Sequence, residues 1–276
     1  IKKVCTKKTK AIVVVYNYGN STDIDKIVAW AKTKNIWVIE DCAEAWFSKY
    51  KGKFLGEYGD IATFSMHATK TISCGEGGCI LINKNNKKLQ KQAILLKNHG
   101  MNREGDNHIP YKHILPGNNY RLSNVLCSLA YAKLKIKKKI IQKQNKNHLN
   151  LFNELKKIND IITQKSLLAS KDFIWVNGIL LNYNNFNISR DQLILEFKKE
   201  NIETRPGFYS TNYLNYYKKN YLPISDFLSK NIIALPCNLH LDNIKTKRII
   251  NTLKNLITKH KRKKFYFIKN KITKKN

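Results

Sequence analysis

Ala11-Ile12-Val13-Val14-Val15-Tyr16 and Ile36-Trp37-Val38-Ile39-Glu40-Asp41 are the two stretches that decide the fold. Each is a short β-branched apolar run, the pattern of a strand buried on both faces. Asn17-Tyr18-Gly19-Asn20 closes the first run, and Glu40-Asp41 closes the second. Between them, Ile24, Ile27, Val28 and Ala31 recur at helical spacing. Ser21 or Thr22 is placed to cap that helix, with Asp23 and Asp25 in its first turn. Strand, helix, strand over so few residues is a βαβ unit. A parallel sheet and an α/β fold follow.

Further strands are expected at Asp60 to Ser65 and, past a glycine-rich turn, at Gly78 to Asn83. A helix should cover Lys87 to Lys97. Residues 98–118 are polar and carry Gly100, Gly105, Pro110, Pro116 and Gly117, so they read as a long loop. One long helix is expected from Ser123 toward Lys156. The pattern then changes: a strand over Phe173 to Asn182, an amphipathic helix over Arg190 to Glu200, a strand over Asn201 to Arg205 and a terminal helix over Asp242 to Leu256. The expected organisation is a large domain over 1–145, a smaller α+β domain over 146–258 and a basic tail over 259–276.

Composition narrows the function classes. The chain has 276 residues, 42% hydrophobic and 11% aromatic, enough for a packed core. Its apolar runs are too short to span a bilayer, and no export leader is visible. No membrane association is expected. Six cysteines form no CxxC pair, which points to reduced thiols in a cytoplasmic protein and no metal site. Lys plus Arg is 51 against 19 for Asp plus Glu, a net charge of +32. Such a field attracts anions. The lysines are scattered among asparagines and isoleucines, the mark of compositional drift, and no nucleic-acid-binding motif accompanies them.

The chemistry-bearing residues cluster after strand ends, where open α/β sheets bind ligands. Asp41 follows the second strand, and Ser65 ends the third. Lys70 comes five residues later, before Gly75-Glu76-Gly77-Gly78. Taken singly, a strand-end Asp is commonly a turn former and a GEGG a flexible turn. Taken in this order, they supply what pyridoxal phosphate needs: a lysine for a Schiff base, a carboxylate for the pyridine nitrogen and small donors for the phosphate.

Asp41-Cys42-Ala43-Glu44-Ala45, then Gly59 to Ser65, then Lys70, then Gly75-Glu76-Gly77-Gly78, closely resemble the DegT/DnrJ/StrS family of sugar aminotransferases. Tyr18-Gly19-Asn20 with Asp23-Ile24-Asp25, Lys97-Asn98-His99-Gly100-Met101 and Gly117 to Asn124 match further signatures. Glu203-Thr204-Arg205-Pro206 with Phe208-Tyr209 is similar to the perosamine-synthase-like members, which aminate the C4 keto group of nucleotide-linked sugars. The likeness covers residues 8 to 258.

The resemblance implies a fold-type I pyridoxal-phosphate enzyme acting as a homodimer. Lys70 would carry the cofactor and move protons, which needs an uncharged amine for part of the cycle. Asp41 would face the pyridine nitrogen, Glu44 would lie near the ring hydroxyl, and Ser65 would bind the phosphate. Asn119 would reach that phosphate from the partner subunit. His99 and Arg205 are candidates for the sugar or nucleotide pocket, whereas His67 is expected to pack. Glutamate would be the amino donor and a keto-sugar on a nucleoside diphosphate the acceptor, in the synthesis of a surface polysaccharide or lipopolysaccharide. Two alternatives stand beside this: a sugar dehydratase, which in this family carries histidine where Lys70 stands, and a degenerate, non-catalytic paralogue. The family's chains begin earlier than Ile1, so a fragment or a decayed gene product with an exposed apolar sheet edge is expected.

Overall fold

The computed structural model describes residues 1–102 and 111–262. The chain divides into two compact units. The first comprises Ile1–Leu149, Lys165–Asn177 and Cys237–His240. The second comprises Asn150–Gln164, Gly178–Pro236 and the chain from Leu241 onward.

The first unit is built on a four-stranded sheet of β1 (Ala11–Val15), β2 (Trp37–Asp41), β5 (Ile61–Ser65) and β6 (Gly78–Ile82), in that spatial order. Helix α1 (Ile24–Thr33) joins β1 to β2, and those strands and β5 run parallel. β6 returns antiparallel to β5, because a loop rather than a crossover helix connects them. Two short hairpin strands, β3 (Lys49–Tyr50) and β4 (Lys53–Phe54), pair with each other, and β3 also pairs with β8 (Ser170–Lys171), in a second small sheet. Helices α2 (Lys87–Lys97), α3 (Asn124–Lys135) and α4 (Lys137–Leu155) follow β6, with most of α4 in this unit.

The strands are not buried on both faces as their composition suggests. Val14, Val38 and Ala62 pack with Ile24 and Ala31 of α1 on one face. On the other face Val13 is 58% exposed, Trp37 43% and Ile80 61%. A run of Val and Ile records that a strand favours burial but not how many layers cover it. Neither Ser21 nor Thr22 caps α1. The cap position is Asp23, and its carboxylate accepts from the Tyr50 hydroxyl at 3.0 Å instead of from the helix. The long helix expected from Ser123 is two helices, broken at Ile136. Lys133 and Lys137, like Lys135 and Lys139, would be like-charge neighbours one turn apart in a continuous helix.

The deepest polar group of this unit is Glu40, fully buried in β2. Its Oε2 accepts from the Tyr16 hydroxyl at 2.6 Å and from Gly56 N at 2.8 Å. Oε1 accepts from Tyr58 N at 2.8 Å and Gly59 N at 2.6 Å. Burial, and then the Glu40 charge, push the Tyr16 phenol well up, so it remains a donor.

His148 of α4 is largely buried, and its Nδ1 lies 2.7 Å from Asn177 Oδ1. Burial holds its pKa below the ordinary value, the Asn177 contact opposing only in part. The unfolded chain therefore binds this proton more readily. His148 contributes stability that is present above about pH 6.5 and is lost as the pH falls below it. Thermal melts should show a decline from about pH 7 to pH 5 that is shallower in His148→Gln. An identical slope in both proteins would remove His148 from the account.

The second unit holds a sheet in the order β10, β11, β9, β7, formed by Arg205–Pro206, Ile232–Leu235, Asn177–Leu181 and Ile161–Thr163. Helices α5 (Arg190–Lys199), α6 (Pro223–Asn231) and α7 (Asn243–His260) complete it. Its core gathers Leu151, Leu155, Phe186, Phe197, Ile233 and Leu253. Ser189 and Gln192 close a capping box on α5. The strand expected from Phe173 begins only at Asn177. Upstream, Phe173 N donates to Ser48 Oγ at 2.9 Å and Trp175 N to Tyr18 O at 2.9 Å, so those groups are unavailable for a ladder. The strand expected over Asn201 to Arg205 is reduced to Arg205–Pro206. Lys259 and His260 belong to α7 rather than to a tail; residues 263–276, like Gly105 and Pro110 of the long loop, lie outside the described residues.

Candidate active site

Three loops leave the carboxyl ends of β1, β2 and β5 and carry the candidate residues. Asp41 is the last residue of β2 and pairs in register with Thr63 of β5. Ser65 lies one pleat beyond Thr63, so Asp41, Thr63 and Ser65 share one face of the sheet. Asp41 Oδ1 accepts from Ala43 N at 3.0 Å, which tightens the turn into Cys42-Ala43-Glu44. Burial drives the neighbouring Cys42 thiol up, so it stays protonated and serves as packing. The end of β5 is anchored by Trp46, whose Nε1 donates to Ser65 O at 2.9 Å.

Lys70 sits on the loop from Met66 to Gly77. That loop is closed at its base by Met66 N to Gly77 O at 2.8 Å and Cys74 N to Met66 O at 2.9 Å. Ile72, fully buried, nails it to the unit, and Lys133 of α3 donates to Ser73 Oγ. Gly75 lies at φ +97°, a left-handed position that glycine fills without strain.

The Lys70 amine is directed inward, its side chain 15% exposed. Nζ stands 3.2 Å from Glu44 Oε1 and 4.0 Å from the centre of the Trp175 ring. The other Glu44 oxygen accepts from Tyr18 N at 2.8 Å. Tyr18 O accepts from Trp175 N at 2.9 Å, and Trp175 Nε1 donates to Thr69 O at 3.0 Å. A closed ring of contacts thus runs from Lys70 through Glu44, Tyr18 and Trp175 back to the residue before Lys70. Tyr18 is held at φ 59°, a left-handed conformation that a bulky residue adopts only when its surroundings impose it.

Gly19, next to Tyr18, has φ +95°, and a Cβ there would come within 2.2 Å of Phe173 O. Its own carbonyl accepts from Ser48 Oγ at 2.7 Å. Gly19→Ala is therefore expected to cost at least about 2 kcal/mol in chemical denaturation, through both strain and backbone displacement. An unchanged midpoint would show that the loop relaxes freely.

The other candidates are placed differently. His99 has φ 58°, and its carbonyl contacts His113 Nδ1 at 2.6 Å. It borders a surface cavity of about 450 Å³ with His113, Ile114, Leu115, Pro116 and Gly117. Asn119 is exposed and bridges Asn98. Arg205 belongs to the second unit, where its guanidinium pairs with Glu203 at 2.8 Å. His67 does not pack: its side chain is 47% exposed, with Nδ1 3.1 Å from Thr69 Oγ1 and Nε2 3.7 Å from Glu76. Trp175 and the backbone of Tyr18 were not singled out from the sequence as site residues. Only the Tyr18-Gly19-Asn20 turn gave a local signal.

A family model described as the DegT/DnrJ/EryC1/StrS aminotransferase family matches residues 1–254. The chain belongs to that family. It is 36% identical over 248 residues to the GDP-perosamine synthase of Escherichia coli O157:H7, covering 88% of this chain and 64% of that protein. It is 32% identical to the GDP-perosamine synthase of Vibrio cholerae, with 92% and 68% covered. The chain thus spans about two thirds of the length of these relatives. Among solved structures it is similar to Helicobacter pylori PseC, an aminotransferase involved in the biosynthesis of pseudoaminic acid. The TM-score is 0.85 at 22% identity, over 94% of this chain and 70% of that one. The fold is that of fold-type I pyridoxal-phosphate enzymes, and pyridoxal phosphate is the cofactor that membership of the DegT/DnrJ/EryC1/StrS family implies.

The donor set fits that group. A half-buried amine on a loop, a strand-end carboxylate and a strand-end hydroxyl lie at one end of one sheet. Among the described residues no cluster of three or more His, Cys, Asp or Glu could hold a metal. No helix of the described residues is long and apolar enough to cross a membrane.

Proposed function

We propose that this chain carries the catalytic centre of an aminotransferase that moves an amino group from glutamate to the C4 keto position of a nucleotide-linked sugar. The observation that carries the reading is the half-buried Lys70 amine 3.2 Å from Glu44, on a loop from the strand end beside Asp41. Membership of a sugar aminotransferase family and the likeness to two GDP-perosamine synthases support it.

Bound pyridoxal phosphate supplies an electron sink that lets a proton leave a carbon bearing nitrogen. This chain's residues do the rest. Asp41 would hold a proton on the pyridine nitrogen, Ser65 would bind the phosphate, and Glu44 would orient the ring hydroxyl. Lys70 Nζ would carry the cofactor and shuttle protons. Glu44 and the Trp175 ring cover that amine and leave it little access to bulk water. Asn119, exposed here, would serve the phosphate of a partner subunit in a homodimer. His99 and Arg205 would contribute to the sugar–nucleotide pocket, and the net charge of +32 suits an anionic diphosphate. A large domain over 1–145 and a small one over 146–258 would share the work. Six unpaired cysteines support a reducing, cytoplasmic setting, with polysaccharide or lipopolysaccharide synthesis as the pathway class.

The test is direct. The chain is incubated with pyridoxal phosphate, glutamate and a nucleoside-diphosphate 4-keto-6-deoxyhexose, and the sugar product is read by mass spectrometry and NMR. An amine at C4 with stoichiometric 2-oxoglutarate supports the proposal. Loss of the C3 hydroxyl without amination would instead indicate a dehydratase, and no turnover with bound cofactor would sink the assignment for this chain.

A further inference from the structure

Trp175 stands 105 positions after Lys70 in the sequence, yet its ring meets the amine. Three contacts fix the indole. Its main-chain N–H bonds Tyr18 O, its ring N–H bonds Thr69 O, and its face lies 4.0 Å from Lys70 Nζ. Trp presents the strongest ring quadrupole of the aromatic residues to a cation. A lysine 15% exposed has lost most of its water. Its charge is then carried by what it touches, here one Glu44 oxygen and one indole face.

We infer that Trp175 is a positioning residue for the aminotransferase proposed above, holding the free Lys70 amine beside Glu44 in every state in which that amine has no covalent bond to cofactor. A proton-shuttling lysine must return to one place each time it is released, and a four-carbon stem does not ensure this by itself. Glu44 alone would fix a distance. Glu44 and the indole together confine the amine to a narrow arc. Thr69 O ties the indole to the loop that bears the lysine, so the two move as one piece. The inference rests on the aminotransferase reading, but the contact can be tested without cofactor.

The experiment labels the cofactor-free chain with limiting acetic anhydride and reads each lysine by peptide mass spectrometry. The exposed Lys34 is the internal reference. Removing the indole face in Trp175→Leu should raise Lys70 labelling relative to Lys34 by about threefold to tenfold at mildly alkaline pH. Trp175→Phe keeps a weaker ring face and should give about twofold. An unchanged ratio in Trp175→Leu would overturn the inference. If Trp175→Leu fails to fold, Trp175→Phe decides, and no rise there counts against the role. In parallel, wild-type chain is loaded with pyridoxal phosphate and reduced with borohydride. Failure to find cofactor mass on the Lys70 peptide would sink the aminotransferase reading while leaving the labelling result to judge Trp175.

Discussion

Lys70→Arg is expected to abolish the covalent attachment of pyridoxal phosphate while leaving the fold intact. The guanidinium keeps the positive charge that Glu44 and the Trp175 ring face, so the melting temperature should move little. It has no nucleophilic amine at working pH, because arginine stays protonated. Borohydride reduction should leave cofactor mass on the Lys70 peptide of the wild type and none at that position in the variant. Turnover should fall by about 10²–10⁴-fold from the lost proton transfer alone, and further from the lost attachment. Cofactor mass on another lysine of the wild type would displace Lys70 from the mechanism.

Glu40→Ala is expected to be the most destabilising single change in the first unit. It strands the Tyr16 hydroxyl and the amides of Gly56, Tyr58 and Gly59, all of which now donate to one buried carboxylate. Each unsatisfied buried donor costs about 1–3 kcal/mol. A loss on the order of 4 kcal/mol or more approaches the whole stability of an ordinary domain. The purified variant should be insoluble or should melt without a cooperative transition. Glu40→Gln keeps an acceptor oxygen but places an NH2 against donors, and should fall between the two. A Glu40→Ala protein that melts within a few degrees of wild type would mean that water replaces the carboxylate.

The legible parts of the fold are those written in local periodicity. β1, α1 and β2 came from two β-branched runs flanking an i, i+3, i+4 repeat, and Lys87–Lys97 was readable as a helix from end to end. The illegible parts have no local period. β3, β4 and β8 are two residues each: β3 and β4 form a minimal hairpin, and β8 joins β3 across more than a hundred residues. Coverage of a strand's second face depends on what packs there, so Val13 and Ile80 could not be read as exposed. In the site, Asp41, Ser65 and Lys70 stand out because they follow strand ends in order. Glu40 precedes Asp41 by one residue and reads with it simply as the close of the strand, although alternation along β2 sends the two side chains to opposite faces. Trp175 was invisible for a related reason: its link to Lys70 is made through Thr69 and Tyr18, and no spacing in the sequence encodes it.

The loop that bears Lys70 is tied across its base as well as at its ends, Met66 N bonding Gly77 O and Cys74 N bonding Met66 O. Its two ends are neighbouring strands in fixed register, with Ser65 opposite Gly78 and Phe64 opposite Cys79. Slippage of β6 by one residue would turn Ile80 and Cys79 to each other's faces. Residues within the loop can therefore be exchanged one for another far more readily than any can be added or removed. In a library of variants, deletions between Met66 and Gly77 should be the rarest survivors, even at positions where nearly every substitution is tolerated.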